Sequence, residues 1–483
     1  MFRISFVHVC RIILILPMSV CSAVDVPLYD FSMAGYSQNV DHYLSPQDDR
    51  YMKPLISTEY QQTQTQQFYQ HYYADDAEGL SPWSEQFVAA VLPQVYAQEL
   101  SILDQFNNLN KPFNEKHYAE NFKEHDEVWW QTIKTNMDLP ALIMAKFQPE
   151  HRAIAVANTF ARALPDIAPD FYHVSLPGQG FPFDNLQDSV IWVGTPLYVL
   201  STSQDKAWSL VLTPDGYFSW IKSLDMAYVS ADVMQKWQRA AQRQLVAVTA
   251  TATPILDHQQ HFQCSGYIGT VLPMHGQDEQ AWHVFVPVKN RHHRAVIKIG
   301  KINKASAAAM PLQATPQNMA KILQQLQNRP YGWGGAFLFN DCSLEMKSIF
   351  TPFGVWLPRN SAQQAKLDAT ENLSVLNMDE RLKVLQEKGH PLMTLIFIGG
   401  HVMLYLGQHQ EAAMTYQNVW GLAPIARDKR YVIGKSVFLP LLASYPDNLD
   451  VMSLANKSIF KLIYLDTLPQ VKDTPESFVA RFM

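Results

Sequence analysis

Cys342 stands in the run Asp341-Cys342-Ser343, behind a glycine-rich approach, Tyr331-Gly332-Trp333-Gly334-Gly335, and ahead of a helical run from Leu344 to Phe350. The glycines allow the backbone to turn tightly into that helix. Asp341 can cap it, which leaves Cys342 at its positive end. A thiolate there gains from the helix dipole and from free backbone amides, so the thiol pKa falls and the sulfur becomes nucleophilic. Two plainer readings stand beside this one: a buried structural cysteine, or one half of a bridge to Cys264.

A base for such a thiol is offered by His401 in Gly399-Gly400-His401-Val402-Met403-Leu404-Tyr405-Leu406-Gly407, where two glycines leave space in front of the imidazole. A strand from Ala413 to Trp420 follows. A hairpin centred near His409 sets His401 opposite Gln417, within the cross-strand reach of roughly 4.5–5.5 Å. An amide there can hold the imidazole in its working tautomer while the ring takes the thiol's proton. A lone histidine is more often an ordinary core or surface residue; cysteine, histidine and an orienting amide together form a thiol-protease set.

The elements that must position these residues differ along the chain. A buried-type strand is expected over Leu392–Phe397. Thr315 can cap a helix with Pro316 in its first position and an apolar stripe of Met319, Ile322, Leu323 and Leu326. Between about 165 and 230 come short strand-like runs separated by Gly194-Thr195-Pro196, Ser203-Gln204-Asp205 and Thr213-Pro214-Asp215-Gly216, the grammar of a small β-barrel. After a linking helix near Ser230 to Gln244, a second barrel of the same style is expected at 245–303. Upstream, Phe87, Val91, Leu92, Tyr96, Leu100 and Leu103 recur at helical spacing, as do Val128-Trp129-Trp130, Ile133 and Met137. A third helix is expected over 152–163. Residues 61–80, rich in Gln and Tyr, read as a low-complexity linker.

The chain has 483 residues, which at roughly 100–200 per domain suggests three or four domains. It is 47% hydrophobic and 17% charged, so it can bury real cores. The formal net charge is −6 and no basic stripe appears, which argues against sequence-blind binding of nucleic acid. Arg3 and Arg11, the apolar run Ile12–Val20 and Cys21-Ser22-Ala23 read as an export signal cut after Ala23. The run is too short to span a bilayer at roughly 20 residues, and no other stretch approaches that length. Lipid attachment at Cys21 is the alternative, with Val20 a poor residue before such a site. The mature chain then keeps only Cys264 and Cys342, too few for a disulfide framework. His258 with His261, and Arg291-His292-His293-Arg294, lack acidic or thiol partners at ligand spacing and read as solvated loops. No metal or other cofactor is expected.

The segments YGWGGAFLFNDCS and GGHVMLYLG resemble the NlpC/P60 family of papain-like cell-wall peptidases. The two barrels are similar to the bacterial SH3 domains of one branch of that family, and residues about 25–160 to its helical, clip-like N-terminal segment. The resemblance implies a multidomain α+β protein: signal at 1–23, helical stabilising segment at 24–164, SH3-like barrels at 165–230 and 245–303, and a papain-like peptidase domain at 312–483. It makes Cys342 the nucleophile, His401 the general base and Gln417 the third polar residue. Tyr331 matches an oxyanion donor, and Asp341 and Ser343 flank the thiol at the substrate pocket. In Leu357-Pro358-Arg359-Asn360-Ser361, Asn360 stands where the family often has Asp, which removes a charge that receives a substrate amino group; Ser361 follows it. Tyr217 and Trp220 match the region where the first SH3 domain reaches over the cleft, with ordinary barrel packing as the plainer account. The implied protein is an exported monomer, periplasmic or extracellular. It cuts the bond between γ-D-glutamyl and the following diamino acid in peptidoglycan or muropeptide stem peptides. The rivals are a wall-binding protein that holds peptide without cutting it, and an amidase or acyltransferase on the same fold. A Cys264–Cys342 bridge that switches activity off is a further reading.

Overall fold

The computed structural model describes residues 26–469 and 473–483, so the expected signal and its cut lie outside the described residues. In the N-terminal segment the stretch read as a linker is a helix, Thr58–Tyr72, capped by Ser57. Its buried face, Gln61, Gln64, Phe68, His71 and Tyr72, keeps helical spacing but carries amides where an apolar stripe is normal. Those amides work as backbone partners: Gln61 Nε2 donates to the Phe353 carbonyl at 2.9 Å and to that of Leu312 at 2.5 Å. Two further helices, Glu85–Gln105 and Glu127–Met137, follow the periodicity of the sequence.

No helix forms over 152–163. Arg152–Ala155 and Thr159–Arg162 are strands of the first barrel. Their alanines, 153, 155 and 161, are fully buried beside Leu197, Val199 and Ile221. The indole of Trp83 fixes the first strand by donating to the Ala153 carbonyl at 2.9 Å. Tertiary pairing here overrides the helical preference of alanine. The first barrel therefore begins at 152, not 165. Its strand order is Gln187–Ile191, Thr159–Arg162, Phe218–Lys222, Trp208–Leu212, Pro196–Thr202, Arg152–Ala155, Met226–Tyr228. The helix Ala231–Arg243 leads to a second seven-stranded sheet that extends from Leu245 to Met310, beyond the expected end at 303.

The third sheet has the order Leu28–Asp30, Arg430–Leu441, Ala412–Leu422, Val402–His409, Thr394–Phe397, Lys461–Tyr464, Thr370–Asn372. Its edge strand Leu28–Asp30 comes from the N-terminal segment and pairs in parallel with Arg430–Leu441. That mainly helical segment therefore also completes the sheet. One face of the sheet is covered by the helices Pro316–Leu326 and Cys342–Phe350, with Leu395, Val402, Leu404 and Tyr416 in the shared core. The opposite face, with Ile396, Met403 and Leu439, packs against Leu385 of the helix Met378–Lys388.

Candidate active site

The loop before Cys342 is shaped by contact with the first barrel. Gly334 and Gly335 have φ of +58° and +80°. A Cβ on Gly334 would collide with the Gln187 carbonyl oxygen, and one on Gly335 would lie 2.8 Å from Val190 Cγ1. The glycines thus serve a close approach of barrel and loop as well as a tight turn. Gln187 Nε2 closes that contact by donating to the Gly334 carbonyl at 2.8 Å.

Asp341 caps the helix Cys342–Phe350, its Oδ1 accepting from the Leu344 amide at 2.9 Å. Cys342 occupies the first helical position, where the backbone amide has no partner within the helix. The thiol is 7% exposed. Burial pushes it up to about 12 and the Asp341 charge adds to this, while the amides of Val402 and Ser343 reach the sulfur and oppose the rise. The Val402 contact sets the sulfur beside the start of the strand that carries His401.

Gly399 and Gly400, with φ of +76° and +84°, turn the chain between Thr394–Phe397 and Val402–His409, and His401 follows immediately. Its Nε2 lies 2.8 Å from Gln417 Oε1. The register differs from a hairpin centred on His409: Leu404 faces Tyr416 and the turn falls at Gln410 and Glu411. Gln417 is therefore the diagonal neighbour of His401, and its long side chain spans the roughly 7–8 Å of such a pair. The Gln417 amide nitrogen donates to Thr415 Oγ1 at 2.9 Å, and Thr415 Oγ1 donates to the Leu439 carbonyl at 2.6 Å. Burial holds the imidazole down at about 4, with Gln417 opposing the shift. At neutral pH the ring is uncharged, with Nε2 protonated toward Gln417 and Nδ1 free to accept a proton.

Arg359 was not singled out from the sequence, although it lies in the segment quoted there. It donates to both oxygens of Asp341 (2.7 Å and 3.2 Å), to Ser343 Oγ at 3.0 Å and to the Asp188 carbonyl at 3.2 Å. Its Nε donates to Ser189 Oγ at 2.6 Å. One guanidinium thus joins the cap of the Cys342 helix to the first barrel, the planar bidentate geometry that suits arginine. Arg359 is fixed by its partners; its neighbour Asn360 instead caps the short helix Ser361–Gln364 through the Gln363 amide at 2.8 Å. Among the described residues no hydrogen bond ties Asn360 or Ser361 to Cys342, His401 or Asp341. Tyr331 is half-buried near Cys342 and Asp341, and desolvation followed by those charges raises its phenol well above the ordinary value.

The family profile described as "NlpC/P60 family" matches residues 328–420, which hold Tyr331, Asp341, Cys342, Arg359, Asn360, His401 and Gln417. The NLPC_P60 stabilising domain matches 9–141, an SH3 domain of SH3b1 type 169–222, and one of SH3b2 type 230–279. The chain carries an NlpC/P60 domain behind that family's N-terminal stabilising domain and two SH3 domains. An NlpC/P60 endopeptidase from Photobacterium damselae subsp. piscicida shares the fold with a TM-score of 0.77 at 24% identity, covering 91% of this chain and 99% of that one. An NlpC/P60 family protein from Bacillus cereus is 16% identical (TM-score 0.42, 66% of this chain and 100% of that one). NlpC2 from Trichomonas vaginalis is 12% identical (TM-score 0.25, 63% and 98%). No curated protein sequence matches.

Of the two barrel residues expected over the cleft of this NlpC/P60 domain, the structure places only Tyr217 near it. The charges of Asp188, Arg359 and Asp341 all act on the Tyr217 phenol, and Asp188 together with burial raises it well above its ordinary value. Trp220 points the other way. It is fully buried in the barrel and its indole N–H donates to Glu99 Oε2 at 2.8 Å, so ordinary packing accounts for it. Cys264 and Cys342 are both free and belong to different cores, which removes the bridge. Among the described residues, no group of three or more His, Cys, Asp or Glu could hold a metal ion, and no helix is long and apolar enough to cross a membrane.

Proposed function

We propose that this protein is an exported cysteine endopeptidase that cleaves the γ-D-glutamyl–diamino acid bond of bacterial cell-wall stem peptides. The family is one of cell-wall cysteine peptidases, and the reading rests on one arrangement: a thiol at a helix N-terminus, touched by the amide that follows His401, with His401 held by Gln417. As Sγ attacks the γ-glutamyl carbonyl carbon, His401 Nδ1 takes the thiol proton. In this reading the Cys342 amide and the Tyr331 hydroxyl stabilise the oxyanion. Collapse breaks the carbon–nitrogen bond, and the imidazolium returns its proton to the leaving amine. Water, deprotonated by the same ring, then releases the glutamyl thioester as a carboxylate and restores the thiol. Gln417 orients the ring without a charge of its own.

The test is incubation of the mature protein and of Cys342→Ala with a defined stem tripeptide and with intact sacculi, products being read by mass spectrometry. The wild type should free the diamino-acid product while the variant loses at least about a thousandfold in rate, the scale seen when a nucleophile is removed from such sets. Binding without cleavage by both proteins would replace this reading with that of a wall-binding protein. Freed glycan or an acylated product would point instead to an amidase or acyltransferase.

A further inference from the structure

We propose that Thr415 is a positioning residue that sets the orientation of the Gln417 amide and, through it, which nitrogen of His401 carries the proton. The inference rests on the reading of His401 as general base. A glutamine amide can present either its oxygen or its NH2 to an imidazole, and the two ends differ in consequence. Oxygen toward Nε2 requires Nε2–H and leaves a lone pair on Nδ1. NH2 toward Nε2 requires a lone pair there, which puts the proton on Nδ1 and blocks it as a base.

The choice is made two residues along the same strand face. Thr415 and Gln417 are both fully buried, so water cannot serve either of them. The Thr415 hydroxyl has one proton, and the Leu439 carbonyl takes it at 2.6 Å. With that proton engaged, Thr415 Oγ1 can only accept, and the group it accepts from is the Gln417 amide nitrogen at 2.9 Å. The amide oxygen is then left facing His401 Nε2 at 2.8 Å. Polarity therefore runs in one direction, from the imidazole through the amide and the hydroxyl to a backbone carbonyl. The carbonyl's place is set by the ladder, since Leu439 is the cross-strand partner of Thr415. A valine at 415 keeps the shape and removes the acceptor. The NH2 of Gln417 is then buried with no partner on that side, a cost relieved when the amide turns over toward His401.

The test compares wild type, Thr415→Val and Thr415→Ser by nitrogen-15 NMR of labelled histidine, with the His401 ring signals assigned by their loss in His401→Ala, and by kinetics on a stem tripeptide. The proton should sit on Nε2 in wild type and in Thr415→Ser, and shift toward Nδ1 in Thr415→Val. In Thr415→Val kcat should fall about tenfold while KM stays within about twofold, as expected for loss of one buried hydrogen bond that acts only through the base; Thr415→Ser should restore it. If Thr415→Val does not fold, Thr415→Ala makes the same comparison. An unchanged ring proton and unchanged kcat in Thr415→Val would overturn the proposal, as would a Thr415→Ser variant as impaired as the valine. Should the wild type cleave nothing, the peptidase reading fails by itself, and the ring-proton measurement still decides the role of Thr415.

Discussion

His401 and Cys342 are both held neutral by their surroundings. Burial keeps the imidazole at about 4 and the thiol at about 12, so across ordinary pH the resting pair is uncharged and the proton moves only as the sulfur attacks. The sign follows directly: below about pH 4 the ring is protonated and cannot act as a base, and above it the base is available. kcat/KM, which reports groups of the free enzyme, should rise with an inflection near pH 4, well below the ordinary histidine value of about 6.5, and then stay flat through neutral pH. Gln417→Glu places a carboxylate against the ring, stabilises the imidazolium and should move the inflection upward. An inflection already near 6.5 in the wild type would show that the site opens to water before it reacts. These three residues could be singled out because motif spacing marks candidates for a nucleophile and a base. Thr415 and Arg359 were not, since each acts by completing hydrogen bonds that exist only once strands or domains have met.

At the scale of elements, the glycine loop and the glycine turn make a controlled pair. Gly334 and Gly400 both have positive φ, +58° and +84°. A Cβ on Gly334 would strike the Gln187 backbone, whereas none of the surrounding heavy atoms lies within 4 Å of one on Gly400. Gly400→Ala should cost about 1–2 kcal/mol from backbone strain alone. Gly334→Ala should cost about 1 kcal/mol or more beyond that, because the barrel must retreat, and should also lower kcat by displacing the loop ahead of Cys342. Equal losses in denaturant unfolding would refute the packing argument. The turn-rich barrels and the leucine- and valine-striped helices could be read in advance from their periodicity. The glutamine-faced helix Thr58–Tyr72 and the alanine strands at 152–162 could not. In one the buried face is polar, and in the other the pairing partners lie far along the chain.

At the scale of the molecule, a single core runs through the helix Glu85–Gln105, both barrels and the helix Pro475–Phe482. Glu99 and Trp220 form one of its joints. Burial raises the Glu99 carboxyl to about 8, against an ordinary value near 4.5. The folded chain thus holds a proton that the unfolded chain releases. This contribution is complete below about pH 4.5 and is lost as the pH rises through about 8. Glu99→Gln keeps an acceptor for the indole and has no charge to bury, so its melting temperature should match wild type at pH 4 and exceed it by a few degrees at pH 9. A gain that is the same at both pH values would mean that the proton on Glu99 is not what the joint depends on.

The helix Pro475–Phe482 lies against Glu85–Gln105, and Phe478 fills the space left by the missing side chain of Gly216 in the first barrel. The ribosome therefore supplies the keystone only after the residues it must lock have long since emerged. The first barrel is thus completed by a segment that lies more than two hundred residues beyond it in the chain, and its last packing contact waits on nearly the whole polypeptide.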